Sequence, residues 1–281
     1  MQKRLSPLFW LLPLCLQSGD ALAWGLYTHV YFAQLLIWAV PLLDPRFRRA
    51  AKKFPQLVMA GACLPDLALV GKYAGTDAFN DTHHWRTANE LLQSASEDEE
   101  LALAMGFVSH LLVDVIAHNH FVPAHETMWI ELPLVTHVIS EWAMDAHVAP
   151  HLFNAPSRLL RQQPELLATY TAQQFKCSQA QAKDALSKLA GADSGLRMSR
   201  IPQVLYRSAG WIDLRLKKRF DYYIDETSVR LHQINRVLQG EAPTWSAELH
   251  CEETKRLRMK SHSWREIEYR LPLPPDLFGE S

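Results

Sequence analysis

Histidine is concentrated in one stretch of the chain, together with carboxylate side chains. The 281 residues include 13 histidines, and nine of these fall in the stretch from His83 to His151. The acidic residues within or just before that stretch include Asp66, Asp114, Glu141 and Asp145. Imidazole nitrogens and carboxylate oxygens together are ligands of zinc and its neighbouring transition metals. The composition of this stretch therefore predicts a metal centre.

Two pairs have the spacing of neighbours on one helix face. His110 and Asp114 are four residues apart, and His137 and Glu141 repeat that spacing. Residues at i and i+4 share a helix face, so each pair can hold one ion. A buried histidine satisfied by a carboxylate explains a single pair equally well. Two pairs on adjacent antiparallel helices would point into one bundle interior, which favours metal ligation.

Periodicity leaves two choices between neighbouring histidines open. His118 continues the ladder of the first pair, whereas His120 lies at the end of the same helix, near Pro123, where it can turn toward the second helix. His83 and His84 are adjacent in a loop, and adjacent side chains of extended backbone point to opposite sides. We expect only one of these two to bind a metal.

Helical periodicity dominates the chain, and it predicts an all-α, multi-helix bundle with the metal site in its interior. Helices are predicted at about 28–40, in a short segment after Pro45, from a capping box at Ser96 to near Pro123, from Pro133 to Val148, and at about 163–190 and 200–239. An edge strand is possible from Trp264 to Leu271. With no internal repeat and no long linker, residues 24–281 are expected to form a single domain.

The apolar content, the net charge and the cysteine spacing limit the classes of function that the protein can have. Apolar residues make up 48% of the chain, which is enough for a substantial core. Basic residues total 29 and acidic residues 30, so no global positive field draws the protein onto nucleic acid. No two cysteines have zinc-finger spacing, and any metal site must therefore be built from histidine, aspartate and glutamate.

The first 23 residues have the pattern of a secretory signal peptide. Lys3 and Arg4 precede a short apolar run, and Ala21 and Ala23 form a small-x-small cleavage signature. The run is interrupted by proline and is shorter than the roughly 20 residues of a membrane-spanning helix. We expect cleavage after Ala23 and export to the periplasm or the medium.

Several short motifs resemble the zinc-dependent phospholipase C family in their order and spacing. They are Trp24-Gly25-Leu26-Tyr27-Thr28-His29, Gly61-Ala62-Cys63-Leu64-Pro65-Asp66, His84-Trp85, His110-x3-Asp114-x5-His120 and His137-x3-Glu141. Fungal single-strand-specific nucleases share the trizinc fold of that family. The similarity covers roughly the first half of the mature chain, from Trp24 to Val148.

The resemblance implies up to three zinc ions. One is bound by Asp66, His84, His110 and Asp114; a second by His120, His137 and Glu141; and a third by the amine and carbonyl of Trp24, His29 and the bridging carboxylate of Asp114. It thus favours His84 over His83 and His120 over His118. Asp66 is also the candidate catalytic group, because a carboxylate at a zinc site can orient the attacking water or accept its proton.

These features predict an exported zinc phosphodiesterase that cuts phospholipid headgroups and contacts membranes at most peripherally. A nuclease of the same fold is the first alternative, and only this alternative requires nucleic acid as a partner. The second is a non-catalytic, metal-stabilised helical protein. The Trp24-x4-His29 spacing resembles the nucleases, whereas glutamate at Glu141 resembles the phospholipases. No protein partner is inferred.

Other charged groups near the predicted centre have expected roles outside the ligand set. Asp145 is expected to orient a ligand histidine. His125, His147 and His151 are expected at the surface or behind the ligands. The basic run Arg215, Lys217, Lys218 and Arg219 is expected to form a solvated helix face, with contact to anionic headgroups as the alternative.

Overall fold

A computed structural model describes residues 25–129, 133–247 and 276–278. Every regular element within these ranges is helical, so the all-α prediction is confirmed for the described part of the chain. The predicted signal peptide, Trp24 and the possible strand at 264–271 lie outside the described residues.

The helices are connected by short turns. In chain order they are α1 (Leu26–Ala39), α2 (Pro45–Lys53), α3 (Pro55–Gly61), α4 (Trp85–Ser94), α5 (Asp98–Ile116), α6 (Val122–Met128), α7 (Pro133–Val148), α8 (Pro156–Gln162), α9 (Pro164–Phe175), α10 (Gln179–Ser199), α11 (Ile201–Ile212), α12 (Leu216–Leu231) and α13 (Ile234–Leu238). Three-residue and five-residue 3₁₀ turns lie at Pro65–Leu69, Lys72–Ala74 and Ala149–His151, and a π-helical turn lies at Ala117–Phe121.

The predicted helices agree with the structure in position more closely than in their ends. Helix α7 has the bounds that its prolines predict. The two long helices predicted at 163–190 and 200–239 are broken into five, and α3, α4 and α8 lie where none was predicted. The capping box is shifted by one residue: Glu100 accepts hydrogen bonds from the backbone of Ser96 and Glu97, at 2.8 and 3.3 Å, and α5 begins at Asp98.

Helix α5 is the centre of the bundle. Every residue from Leu101 to Ile116 is buried, because α1, α2, α3, α4, α12 and α13 all pack around this helix. From Asp98 to Met128 the helical stretch is long and apolar enough to cross a membrane, yet its apolar 18-residue segment is wholly buried within the protein. A core helix that is apolar on all sides has this same composition, and α5 is such a helix.

Helices α3 and α5 touch backbone to backbone where two glycines face the opposite chain. A Cβ atom added to Gly61 would lie 2.1 Å from the carbonyl oxygen of Leu103, and one added to Gly106 would lie 1.9 Å from that of Val58. No real side chain tolerates such distances. The contact brings the turn after α3, which carries Asp66, against the face of α5 that carries His110 and Asp114.

The central helix does not end near Pro123, as the sequence suggested, but continues through a π-turn to Met128. Proline at the second position of α6 cannot donate to the carbonyl four residues earlier, and its ring would clash with that carbonyl in a regular helix. The wider π-turn, in which Val122 N donates to Ala117 O, fits this constraint. Asn119 donates its side-chain amide to Val115 O at 2.7 Å. The turn contains both His118 and His120.

Candidate metal centre

Four side chains converge on one point beside the middle of α5. His110 and Asp114 come from α5, Asp66 from the first 3₁₀ turn, and His83 from the loop before α4. His110 Nε2 lies 3.0 Å from Asp114 Oδ2 and 3.3 Å from His83 Nε2, and His83 Nε2 lies 3.6 Å from Asp114 Oδ2. Asp66 Oδ1 is farther out, at 3.9 Å from His83 Nε2 and 4.0 Å from His110 Nε2. We call these four residues the first group.

Asp114 connects the first group to a second position. Its Oδ2 faces His110 and His83, whereas its Oδ1 lies 3.3 Å from His29 Nε2 on α1. The rings of His29 and His110 stack, with centroids 3.5 Å apart. A carboxylate that turns one oxygen to each of two ligand sets has the arrangement of a bridging ligand, which is the role that the resemblance implied for Asp114.

A further group lies where the π-turn meets α7. His118, His137 and Glu141 bring one donor atom each within 4.8 Å of one another, and all three side chains are buried. His137 Nε2 and Glu141 Oε1 are 2.7 Å apart, as expected for an i, i+4 pair on one helix face. The ring of His118 meets that of His137 edge to face at 5.8 Å. We call these three residues the second group.

Backbone carbonyls fix which nitrogen each histidine turns toward its group. His110 Nδ1 lies 2.8 Å from Ala62 O, and His118 Nδ1 lies 2.8 Å from Ala247 O. A carbonyl oxygen only accepts, so each Nδ1 carries a proton, and each Nε2 is the nitrogen left to present a lone pair to a bound metal. Metal-binding histidines commonly have this second hydrogen bond, which orients the ring.

The geometry and the donor chemistry fit zinc. Adjacent donor atoms of a tetrahedral site with bonds of about 2.0–2.1 Å are about 3.3 Å apart, close to the spacings among His83, His110 and Asp114. Neither nitrogen of His29 and neither oxygen of Asp114 has a well-formed hydrogen bond within the described part of the chain, although all four atoms are fully buried. Buried polar atoms seldom lack partners, and a shared cation would satisfy them.

The protonation states without metal follow from burial. Burial raises the pKa of Asp66 to about 8 and lowers the pKa of His83 to about 3. Burial also raises the pKa of Asp114, but the imidazoles of His110, His29 and His118 outweigh it and hold that pKa well below its usual range. Asp114 is therefore anionic, His83 neutral, and Asp66 the group most prone to carry a proton.

At both pairs of neighbouring histidines, the geometry brings together a different residue from the one that the resemblance implied. His84 lies at the surface, with its side chain 40% exposed and its Nδ1 3.9 Å from Asp81 Oδ1, whereas His83 belongs to the first group. His120 is buried but turns toward Trp245, with ring centroids 5.3 Å apart. His118 takes the place in the second group, because the i, i+4, i+8 ladder persists into the π-turn.

Helix α1 is held in place by Asp145, which has a different role from the one expected. Its carboxylate accepts hydrogen bonds from Thr28 N at 2.9 Å and Thr28 Oγ1 at 2.8 Å, and it forms an ion pair with Arg197. A Cβ atom on Gly25 would lie 2.1 Å from this carboxylate. Asp145 therefore fixes the first turn of the helix that carries His29, rather than orienting a ligand histidine directly.

The remaining histidines and the basic run at 215–219 lie only partly where the sequence predicted, at the surface or behind the ligands. His125 is fully buried and accepts a hydrogen bond from Arg219 at 3.2 Å, so Arg219 belongs to the interior and not to a solvated face. His147 connects Tyr206 and Asp221, at 2.9 and 2.8 Å. His151 is exposed, as predicted.

Residues 243–247, which we call the C-terminal strap, were not predicted to be near the centre. Trp85 Nε1 donates to Trp245 O and Asn119 Nδ2 donates to Ser246 O, both at 3.0 Å, and Ala247 O accepts from His118. Between the strap and residues 83–85 lies a cleft of about 250 Å³, with His83 in its wall. No sequence spacing predicts a contact between residues 118 and 247, since a backbone carbonyl leaves no pattern.

Comparison with known proteins agrees with this geometry. The family model described as zinc dependent phospholipase C matches residues 28–191, which is more than half of the chain and includes both groups. No match was found among curated proteins or among solved structures. The chain belongs to the zinc-dependent phospholipase C family.

Proposed function

We propose that this protein is an exported zinc-dependent phosphodiesterase that hydrolyses the headgroup phosphoester of phospholipids. The observation that carries the proposal is the arrangement of His83, His110 and Asp114, with Asp66 at its outer side and the cleft beside His83. This places a zinc-binding set of donors next to space for a substrate. Family membership supports the same chemistry.

Zinc bound at these groups would supply a Lewis acid for the phosphate oxygens and lower the pKa of a coordinated water. The residues of the two groups and His29 would provide the metal ligands. His83, His110 and Asp114 would hold the first position, His118, His137 and Glu141 would hold the second, and His29 with Asp114 would contribute to a third. Trp24, whose amine and carbonyl would complete the third position, remains a proposal from the resemblance.

Asp66 is the proposed catalytic base. Its Oδ1 stands 3.9–4.0 Å from the histidine nitrogens, farther than Asp114, and burial gives it a high affinity for a proton. The water oxygen forms a bond to phosphorus, Asp66 takes the water proton, and the bond from phosphorus to the glycerol oxygen breaks. The leaving glycerol oxygen then takes the proton that Asp66 accepted, which returns Asp66 to its carboxylate form.

The described cleft favours a lipid headgroup over a polynucleotide. Its walls include Trp85 and Trp245 but no lysine or arginine among the described residues. A nuclease needs cations along its groove to track successive phosphates, in addition to aromatic side chains. A single headgroup phosphodiester requires only the metal positions and one small cleft.

Cleavage after Ala23 is proposed to complete the third metal position. A free α-amine, with a pKa of about 7.7–8.0, donates its lone pair readily, whereas a peptide nitrogen does not. One extra residue before Trp24 would move the amine by about 3.8 Å. Protein beginning at Trp24 should therefore bind more zinc and hydrolyse faster than protein with a one-residue extension. Equal zinc content and equal rates would contradict the role of Trp24.

Parallel assays test the substrate class. Zinc-loaded protein beginning at Trp24 is given phosphatidylcholine in one series and single-stranded DNA in another, with the Asp66→Asn variant as the control for contaminating activity. We expect release of phosphocholine by the native protein, at least about 100-fold less by the variant, and no cutting of DNA. DNA cleavage alone would favour the nuclease, and no hydrolysis of either substrate would favour a metal-stabilised structural protein.

A further inference from the structure

Large apolar side chains are almost fully exposed at the end of α11 and in the turn that follows. Trp211 is 83% exposed, Ile212 87% and Leu214 89%. Val204 on the same helix and Met198 at the end of α10 are exposed as well. Single exposed apolar residues are ordinary, but three in four positions form a patch that water solvates poorly. We call Trp211, Ile212 and Leu214 the apolar tip.

Basic residues surround the apolar tip. Residues 200–219 contain six basic side chains and one acidic side chain, although the whole chain has a formal net charge of −1. Lys217, Lys218 and Arg207 are exposed. The one acidic residue, Asp213, pairs with Arg219 and accepts a hydrogen bond from Trp129 Nε1 at 3.1 Å. The stretch that carries the tip therefore has a net positive charge, and Asp221, one turn beyond Lys217, pairs with His147.

We infer that the apolar tip and its flanking lysines form an interfacial docking surface for membranes that contain anionic phospholipid. Tryptophan with aliphatic neighbours enters the boundary between headgroups and acyl chains, and flanking lysines attract anionic headgroups. An acidic protein partner would match the charge, but it offers no special reason for three fully exposed apolar side chains at a turn. The patch lies outside the matched family region, on residues 198–218.

The docking surface and the second group lie on two helices that pack against each other. Helix α11, which ends in the apolar tip, packs against α7, the helix that carries His137 and Glu141. Docking there would hold the enzyme at the lipid surface. The inference deepens the proposed function and rests on it for the substrate, whereas binding to the membrane can be measured without hydrolysis.

Vesicle co-sedimentation tests the docking surface directly. Zinc-loaded protein beginning at Trp24 is mixed with vesicles of phosphatidylcholine alone or of phosphatidylcholine with phosphatidylglycerol. We expect stronger partitioning onto the anionic vesicles. The triple variant W211S/I212S/L214S should reduce it at least tenfold, and K217Q/K218Q should reduce it by about 30-fold.

Matched control variants distinguish binding through this surface from non-specific binding of exposed apolar or basic residues to vesicles. Trp38 and Phe153 are also exposed, at 57% and 71%, and W38S/F153S should bind vesicles as the native protein does. Lys52 and Lys72 are exposed lysines elsewhere, and K52Q/K72Q should reduce partitioning less than K217Q/K218Q. Equal partitioning of the native protein and the triple variant would overturn the inference. A dimer that the triple variant dissociates, with vesicle binding unchanged, would assign the tip to a second copy of the chain instead.

Activity on two physical forms of the substrate keeps the two proposals distinguishable. The triple variant should hydrolyse short-chain, monomeric phosphatidylcholine at the native rate and vesicle phosphatidylcholine at least tenfold more slowly. Vesicle binding without any hydrolysis would refute the proposed function and leave the docking surface standing. Hydrolysis of both forms at unchanged rates by the triple variant would refute the docking surface alone.

Discussion

At the scale of single residues, two pairs of neighbouring histidines decide how the centre is built. His83 and His84 differ by one position, yet His83 lies in the first group, whereas the His84 side chain is 40% exposed and lies outside it. Neighbouring side chains in extended backbone point apart, so the sequence predicts that only one of the two binds a metal. Which one points inward depends on the loop between Asp66 and α4, whose path is set by tertiary contacts such as Thr82 Oγ1 donating to Pro65 O at 2.7 Å.

A matched pair of variants tests the first choice. His83→Ala removes a donor from the first group, and we expect zinc binding there to weaken by at least about 100-fold, since even the loss of an outer hydrogen-bond partner costs 10–100-fold. His84→Ala removes a surface imidazole and should leave zinc content unchanged. Metal analysis after dialysis against a zinc buffer measures both. Loss of zinc from the His84 variant alone would contradict the geometry.

A second matched pair of variants, at His118 and His120, tests which histidine of the π-turn binds zinc. His118→Ala should reduce zinc binding to His137 and Glu141 by a similar factor, because His118 contributes the third donor of that group. His120→Ala should keep its zinc, although it removes a buried ring that packs on Trp245 and should lower stability by about 1–3 kcal/mol. Zinc titration and thermal melting separate the two effects. A His120 variant that loses zinc while it stays folded would restore the choice that the family spacing implies.

At the scale of helices, much of the architecture was predictable because local signals agree with the fold. The prolines at its two ends predicted α7, and the i, i+4 spacing predicted that His137 and Glu141 share a face of that helix. This face meets His118 of the π-turn and not the pair His110 and Asp114 on α5, as the sequence had suggested. The predicted end of α5 near Pro123 was wrong, since a π-turn can accommodate proline within a continuous helical stretch. The strap was not predictable, because its contact with His118 uses a main-chain carbonyl.

The contact between α3 and α5 gives a test of helix packing. Gly106→Ala places a methyl group against Val58 O and the Ala62 backbone, and we expect a loss of at least about 3 kcal/mol in the free energy of unfolding. Gly191→Ala on α10 is the matched control, because nothing lies within 4 Å of its added Cβ. The control should gain about 0.5–1 kcal/mol, the ordinary benefit of alanine over glycine in a helix. Similar denaturant midpoints for the two variants would show that the helices are not in close contact.

At the scale of the whole molecule, metal and fold should depend on each other. Seven side chains with donor atoms are buried between the helices of the bundle: Asp66, His83, His110, Asp114, His118, His137 and Glu141. Ions that bind only the folded state stabilise it by mass action, and a site a thousandfold above its dissociation constant contributes about 4 kcal/mol.

Removal of zinc therefore has a predicted thermal signature. Chelation should lower the melting temperature by about 10 °C, and zinc added back should restore the native value. Differential scanning calorimetry in the presence and absence of chelator measures the change. A metal-free protein that melts at the native temperature would show that the two groups are held together by packing and hydrogen bonds alone.

The central claim is that zinc binds inside the bundle through His83 and His118. Crystals of protein beginning at Trp24, grown with zinc, allow anomalous difference maps to be measured on both sides of the zinc absorption edge. We predict one zinc peak within about 2.0–2.1 Å of His83 Nε2 and His110 Nε2, and another at the same distance from His118 Nε2 and His137. Zinc peaks at His84 or His120, or no peak inside the bundle, would contradict this account.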